Sequence, residues 1–279
     1  MTSKTILPKD LFAGQVAIIT GGGSGINLGI ASVLVEHGAS VAICGRTEAR
    51  LQSAKAELEG IGGKIFAGVA DVRDADAVKS FIDAAETALG TASILVCGAA
   101  GNFLVPAEEL SPNGFKTVID IDLLGSFNAA RAAFDQLSRT RGKIIFVSAG
   151  QSYVPQAFQV HAGAAKAGVD QMMRNLAIEW GQHGIRVNSV VPGPIDGTEG
   201  LARLSALGQM EMYLKTVPLG RLGRVDEIGQ AVAFLCSPLA EYITGTQLIV
   251  DGGANLAGSA LSNMAIGNML TKDRSATKI

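Results

Sequence analysis

The stretch Thr20-Gly21-Gly22-Gly23-Ser24-Gly25-Ile26-Asn27-Leu28-Gly29 follows a β-branched run and has the composition of a phosphate cradle. Glycines let a backbone turn tightly and approach a pyrophosphate, and the N-terminus of the helix that follows stabilises its charge. A strict G-x-G-x-x-G pattern is not met, because Ile26 or Leu28 occupies its last position. Gly45-Arg46 ends the next apolar run. An acid there would accept from a ribose 2′-hydroxyl, whereas a 2′-phosphate needs a cation, so the pair favours NADPH. A surface arginine closing a strand is the plainer reading. Further along, Lys166 sets an ammonium group on a helical stretch whose apolar positions Val169, Met172, Met173, Leu176 and Ile178 point to a core. Such a lysine either snorkels to solvent or serves a site.

These groups need a scaffold. β-Branched runs at 16–20, 40–44, 64–70, 94–97, 143–148, 186–191 and 247–250 alternate with helix-like segments near 25–37, 47–59, 75–89, 111–137, 162–182 and 226–236. Alternation repeated this often implies a parallel sheet with helices on both faces. Right-handed crossovers then give an α/β, doubly wound, seven-stranded Rossmann sheet in a single domain, with ligands at the carboxyl ends of the strands. Residues 30–35 are apolar nearly all round, as a helix buried against a sheet should be. Residues 193–218 interrupt the alternation, and their length predicts a substrate-covering lid. The small-residue tail after Gly253 carries no assignment.

With 279 residues, 48% of them hydrophobic, the chain can bury a substantial core. Its 23 basic and 25 acidic residues leave a net charge of −2, which argues against a nucleic-acid binder. No apolar run reaches about 18 residues, so no membrane span is expected. Cys44, Cys97 and Cys236 lack metal-ligand spacing and suit reduced core thiols in a cytoplasmic protein; no metal site is predicted. The first residues lack a signal-peptide apolar region and the last form no evident address. His37 and His183 stand at helix ends, and Trp180 suits a core anchor.

Taken in order, these features resemble the short-chain dehydrogenase/reductase family over roughly residues 14–255. The loop fits its T-G-x-x-x-G-x-G spacing with Asn27 for the last glycine, and Asp71-Val72, Arg186-Val187-Asn188, Pro192-Gly193-Pro194 and Asp251-Gly252-Gly253 continue the likeness. The resemblance implies a nicotinamide cofactor on Gly21, Gly23, Ser24, Gly25, Ile26, Arg46, Asp71, Val72, Ala99, Ala100, Gly101 and Lys166, with Pro192, Gly193, Pro194 and Ile195 beside the nicotinamide ring. Asp71 is alternatively a plain helix cap. The chain also departs from the family. Its Tyr-x-x-x-Lys tyrosine is Ala162, the partner serine is Ala149, the catalytic asparagine is Asp122, and Asn-Asn-Ala-Gly is Cys97-Gly98-Ala99-Ala100. A positioned proton donor contributes about 10²–10⁴-fold, so ordinary ketone reduction should be poor.

Residues 98–107, 115–122, 159–163 and 192–200 resemble the 2,4-dienoyl-CoA reductases of that family, in the manner of the peroxisomal type, which also lacks the tyrosine and pairs an aspartate with the lysine. That resemblance implies NADPH-dependent reduction of an acyl-CoA thioester, 2,4-dienoyl-CoA, to 3-enoyl-CoA. Asn102 would donate to the thioester carbonyl, and Asp122, Lys166 and an ordered water would protonate the α-carbon. Asn102, Phe103, Gln151, Tyr153 and Gly193 would meet substrate; the mitochondrial type has a tyrosine at the position of Gln151. Phe103, Leu104 and residues 201–204 would line an acyl channel or simply belong to the core. Helices 111–137 and 162–182 pair subunits in this family, usually as a homotetramer. Blander readings stand beside these: Asn102 as a turn residue, and Asp122 bonding backbone groups of a helix distortion. Two other functions also remain, a reductase of another carbonyl or conjugated thioester with Tyr153 as its acid, and a catalytically silent NADP-binding protein.

Overall fold

The computed structural model describes residues 7–198 and 214–259. Seven strands, β1 (Val16–Thr20), β2 (Ser40–Gly45), β3 (Ile65–Val69), β4 (Ile94–Cys97), β5 (Lys143–Val147), β6 (Arg186–Pro192) and β7 (Gln247–Val250), form one parallel sheet in the order β3-β2-β1-β4-β5-β6-β7. Strand order reverses between β1 and β4, whose last residues Thr20 and Cys97 lie in register. A crevice opens at such a switch point, outside the carboxyl ends of the strands.

Ile18, Ile19, Val41, Ile43, Ile94, Leu95, Ile144 and Ile145 are fully buried, because helices cover both faces of the sheet. On one face lie α1 (Gly25–Glu36) and α7 (Val225–Cys236), with Ile30, Leu34, Ile228 and Val232 in the core. The other face carries α3 (Ala75–Leu89), α5 (Gly125–Thr140) and α6 (Val160–Trp180), which contribute Phe81, Ile82, Ala129, Ala133, Val169 and Met173. Among the described residues the remaining α-helices are α2 (Glu48–Gly60) and α4 (Pro112–Ile119). Contact between α1 and α7 is set by glycine: a β-carbon on Gly29 would fall 2.6 Å from Val225 Cβ, and one on Gly229 equally close to Val33 Cγ2.

The segment expected as one helix over 111–137 is instead α4, a π-helical turn at Asp120–Leu124, and α5. Ser111 caps α4 by accepting from Gly114 N at 3.0 Å, with Pro112 at its first position. π-Turns insert a residue into the helical ladder and recur at functional sites. Here the insertion buries Asp122, while Ser126 Oγ donates to the Asp122 carbonyl at 2.6 Å. Ile178, expected to face the core, is 81% exposed. Val169, Met173, Leu176 and Ala177 define the buried stripe of α6, and Ile178 is rotated off it.

The expected lid falls mainly on 199–213, which lie outside the described residues together with the acyl-channel candidates 201–204. Its leading flank is pinned: Asp196 N donates to Gly223 O and Gly223 N to Pro194 O, both at 2.9 Å. All three cysteines are buried free thiols, and burial pushes those of Cys44 and Cys236 up to about 12. Among the described residues no helix is long and apolar enough to cross a membrane.

Candidate active site

A cavity of about 620 Å³ opens at the switch point. One end is walled by Gly21, Gly23, Ser24, Gly25 and Ile26. Two positions there leave no room for a side chain: Gly21 has φ 69°, and a β-carbon on it would meet Ala99 Cα at 2.9 Å, while one on Gly22 would meet Ile43 Cγ2 at 2.6 Å. Ser24 adopts an extended N-cap conformation and makes no side-chain cap to α1, so the first-turn amides are offered outward. This cradle fits a pyrophosphate on geometry alone. Asn27 occupies room that residue 98 leaves. Its Nδ2 donates to Gly98 O at 2.8 Å and Gly21 O at 3.3 Å, and a β-carbon on Gly98 would lie 2.0 Å from its Oδ1.

Gly45, Arg46 and Arg50 wall the adenosine end with Asp71 and Val72. No carboxylate ends β2, and Arg46 and Arg50 both line this end of the cavity. Arg50 was missed in the sequence; it lies four residues after Arg46, in the first turn of α2, and a second arginine so soon after the β2 terminus was the available signal. Asp71 is engaged by Arg73, whose Nη2 and Nε lie 2.5 and 3.0 Å from its carboxylate oxygens. That hydrogen bond holds the Asp71 carboxyl below the usual carboxylate range.

At the other end the structure brings together Lys166 and Asp122, 44 residues apart in sequence. Lys166 Nζ lies 3.2 Å from Asp122 Oδ2 and donates to Val147 O at 2.9 Å. Asp122 Oδ1 accepts from Gly101 N at 2.7 Å. Both side chains are buried, and a buried pair persists only when further hydrogen bonds offset its desolvation, as those to Val147 and Gly101 do here. Lys166 therefore does not snorkel, and the π-turn and the ion pair exist together. Two details differ from expectation. Lys166 lines the cavity whereas Asp122 stands behind it, and Gly101 spends its amide on Asp122 instead of facing the cofactor end.

Ala149 lines the cavity and Ala162 is buried, so neither family hydroxyl position carries one. Ser148 is turned the other way, donating to buried Asp170 at 2.8 Å. Tyr153, expected to meet substrate, is held to the cavity wall: its hydroxyl accepts at 2.9 Å from Nδ2 of Asn255, which itself lines the cavity. Burial raises its pKa further.

Asn102, Gln151, Phe103, Ala99, Ala100 and the run Pro192, Gly193, Pro194 and Ile195 all line it, as expected. Gln156 and Gln159 join them unforeseen. Gln159 Oε1 accepts from Asn102 Nδ2 at 2.6 Å and Gln151 Nε2 at 3.1 Å, and its own Nε2 donates to Gln156 at 2.9 Å. A glutamine every few residues in an otherwise uncharged loop was the available clue. Phe103 packs on buried His161 with ring centroids 4.4 Å apart.

The site can therefore place an ammonium group and carboxamide donors beside a bound nucleotide, with alanine at both positions where the family carries its catalytic hydroxyls. Residues 21–255 match the family described as enoyl-(acyl carrier protein) reductase. The chain belongs to that family; it is a short-chain dehydrogenase/reductase, an oxidoreductase that works with a nicotinamide cofactor. More particularly, it is similar to the peroxisomal 2,4-dienoyl-CoA reductase [(3E)-enoyl-CoA-producing] of Pongo abelii, 46% identical over 248 residues covering 88% of this chain and 85% of that protein. The enzyme of the same description from Saccharomyces cerevisiae is 43% identical over the same shares. Among solved structures, an NADPH-bound short-chain oxidoreductase from Pseudomonas aeruginosa with an atypical catalytic centre is 36% identical, with a TM-score of 0.82 over 88% of this chain and 98% of that one.

Proposed function

We propose that this enzyme reduces 2,4-dienoyl-CoA thioesters to 3-enoyl-CoA at the expense of NADPH. The observation that carries this reading is the Lys166–Asp122 pair at 3.2 Å beside two alanines where hydroxyl groups would serve a ketone. A ketone leaves an alkoxide that needs an acid at oxygen. A dienoyl thioester instead leaves a dienolate, whose oxygen needs a donor and whose proton goes to carbon.

The glycine cradle and α1 would hold the pyrophosphate, Arg46 and Arg50 would receive the 2′-phosphate, and Pro192 to Ile195 would flank the nicotinamide. When bound, the cofactor supplies hydride to the distal carbon of the diene. Asn102 donates to the thioester oxygen on which negative charge collects. Lys166, through a water it holds, delivers a proton to the α-carbon, and the remaining double bond settles between the β- and γ-carbons. Asp122 keeps the ammonium aimed from behind. Hydride and proton together account for the two hydrogens gained, and water resupplies the proton.

A homotetramer is supported by exposed apolar side chains on the packing helices, Leu124 beside Phe127 of α5 and Ile178 of α6. Buried free thiols fit action in the reducing cytoplasm. NADPH oxidation followed with a 2,4-dienoyl-CoA and, in parallel, a 3-ketoacyl-CoA tests the activity. Turnover of the dienoyl thioester with chromatographic identification of 3-enoyl-CoA supports it. Preference for the ketoacyl thioester, a 2-enoyl product or no turnover of either overturns it.

A further inference from the structure

Phe158 holds a backbone conformation that its side chain disfavours. Its φ is 66°, in the left-handed region that bulky residues rarely adopt, and glycine or asparagine would sit there with less strain. The side chain gains little burial in return, being 58% exposed. Such strain is concentrated at functional sites, and burial does not compensate for it here.

Its surroundings say which. Phe158 O accepts from Val105 N at 3.1 Å, which ties the loop 149–159 to the loop 98–111 at the cavity mouth. Gln156 and Gln159 on one side, and Phe103 and Leu104 on the other, line the cavity. Phe103, Leu104 and Phe158 on these two loops, and Val160 at the start of α6, are all exposed apolar groups. Residues 98–107 and 149–160 contain no charged side chain. A coenzyme A phosphate would find no cation in these two segments, whereas a hydrocarbon chain would find the apolar groups Phe103 and Leu104 at the cavity and Phe158 on the loop bonded to theirs.

We propose that Phe158, with Val160, forms an apolar shelf that receives the distal part of the acyl chain and sets chain-length preference. This rests on the reading of the cavity as a dienoyl-CoA site. Phe158 touches neither cofactor nor reacting carbons and acts through affinity for the tail.

The test compares 2,4-hexadienoyl-CoA and 2,4-decadienoyl-CoA with wild type, F158G, F158N and F158L. Expected for F158G and F158N is a KM for the decadienoyl substrate about tenfold higher, the loss of contact with roughly two methylenes. The KM for hexadienoyl-CoA and both kcat values should stay within about twofold, and F158L should recover most of the lost affinity. The Tm of F158G should be equal to or above wild type, because glycine relieves the strain. A similar KM change for both substrates, no change for either, or a lower Tm for F158G overturns the proposal. Reduction of neither substrate by wild type instead sinks the dienoyl-CoA reading on which it stands.

Discussion

At the scale of single residues, the site depends on a charge pair made safe by its neighbours. Asp122 accepts from Gly101 N and faces Lys166, so its removal strands an ammonium group beside a single carbonyl partner. Asp122→Ala should lower kcat by about 10²–10⁴-fold, the worth of a positioned proton donor. NADPH affinity should change little, because the phosphate cradle is untouched. Steady-state kinetics alongside NADPH fluorescence titration measures both, and an equal loss in each would remove the proposed role. His161 gives a second prediction. Burial depresses its pKa below the ordinary 6.5, so the unfolded chain takes up the proton first as pH falls. The stability it contributes is complete above about 6.5 and is lost as pH falls below that value. H161F keeps a ring against Phe103 and lacks this term. Its Tm should therefore fall less than that of wild type between about pH 7.5 and 5, and parallel curves would refute the idea.

At the scale of elements, the cradle and the loop after β4 are joined by a compensating pair. Asn27 brings bulk to a position where the family has glycine, and Gly98 withdraws bulk where the family has asparagine. Gly98→Ala alone forces a β-carbon into Asn27 Oδ1, an overpacking that costs about 1–3 kcal/mol. Asn27→Gly alone loses the 2.8 Å bond to Gly98 O, worth about 1 kcal/mol. In the double variant the alanine fills the vacated space. A denaturant double-mutant cycle should give a compensating coupling of about 1–3 kcal/mol, and simple additivity would show that the two positions are independent. This pairing was invisible in sequence, where Asn27 looks like an intrusion. Contacts across 71 residues depend on how β1 and β4 lie side by side.

At the scale of the whole molecule, the sheet was legible and parts of the site were not. The central strands were readable because a strand covered on both faces must be apolar throughout, and runs such as Val16–Thr20 and Ile94–Cys97 are. The Lys166–Asp122 pairing was legible through family resemblance, but its depth was not: a π-turn in a helical run leaves no periodic mark. The surroundings of Tyr153 were not legible, because a loop residue two positions from Gln151 can face either way and its partner Asn255 comes from beyond β7. Cofactor choice belongs to this scale too, since a ligand that binds the native state alone stabilises the entire fold by RT ln(1 + [L]/Kd), about 2.7 kcal/mol at one hundred times Kd. Arg46 and Arg50 face a β2 terminus without a carboxylate, so NADPH should bind more tightly than NADH by the value of a charge-assisted contact, about 1.5–3 kcal/mol. At equal concentrations NADPH should raise Tm by several degrees more than NADH. Arg46→Ala should shrink that difference without altering the response to NADH. Equal shifts by both nucleotides in wild type would assign the arginines to the surface and leave cofactor choice to some other contact.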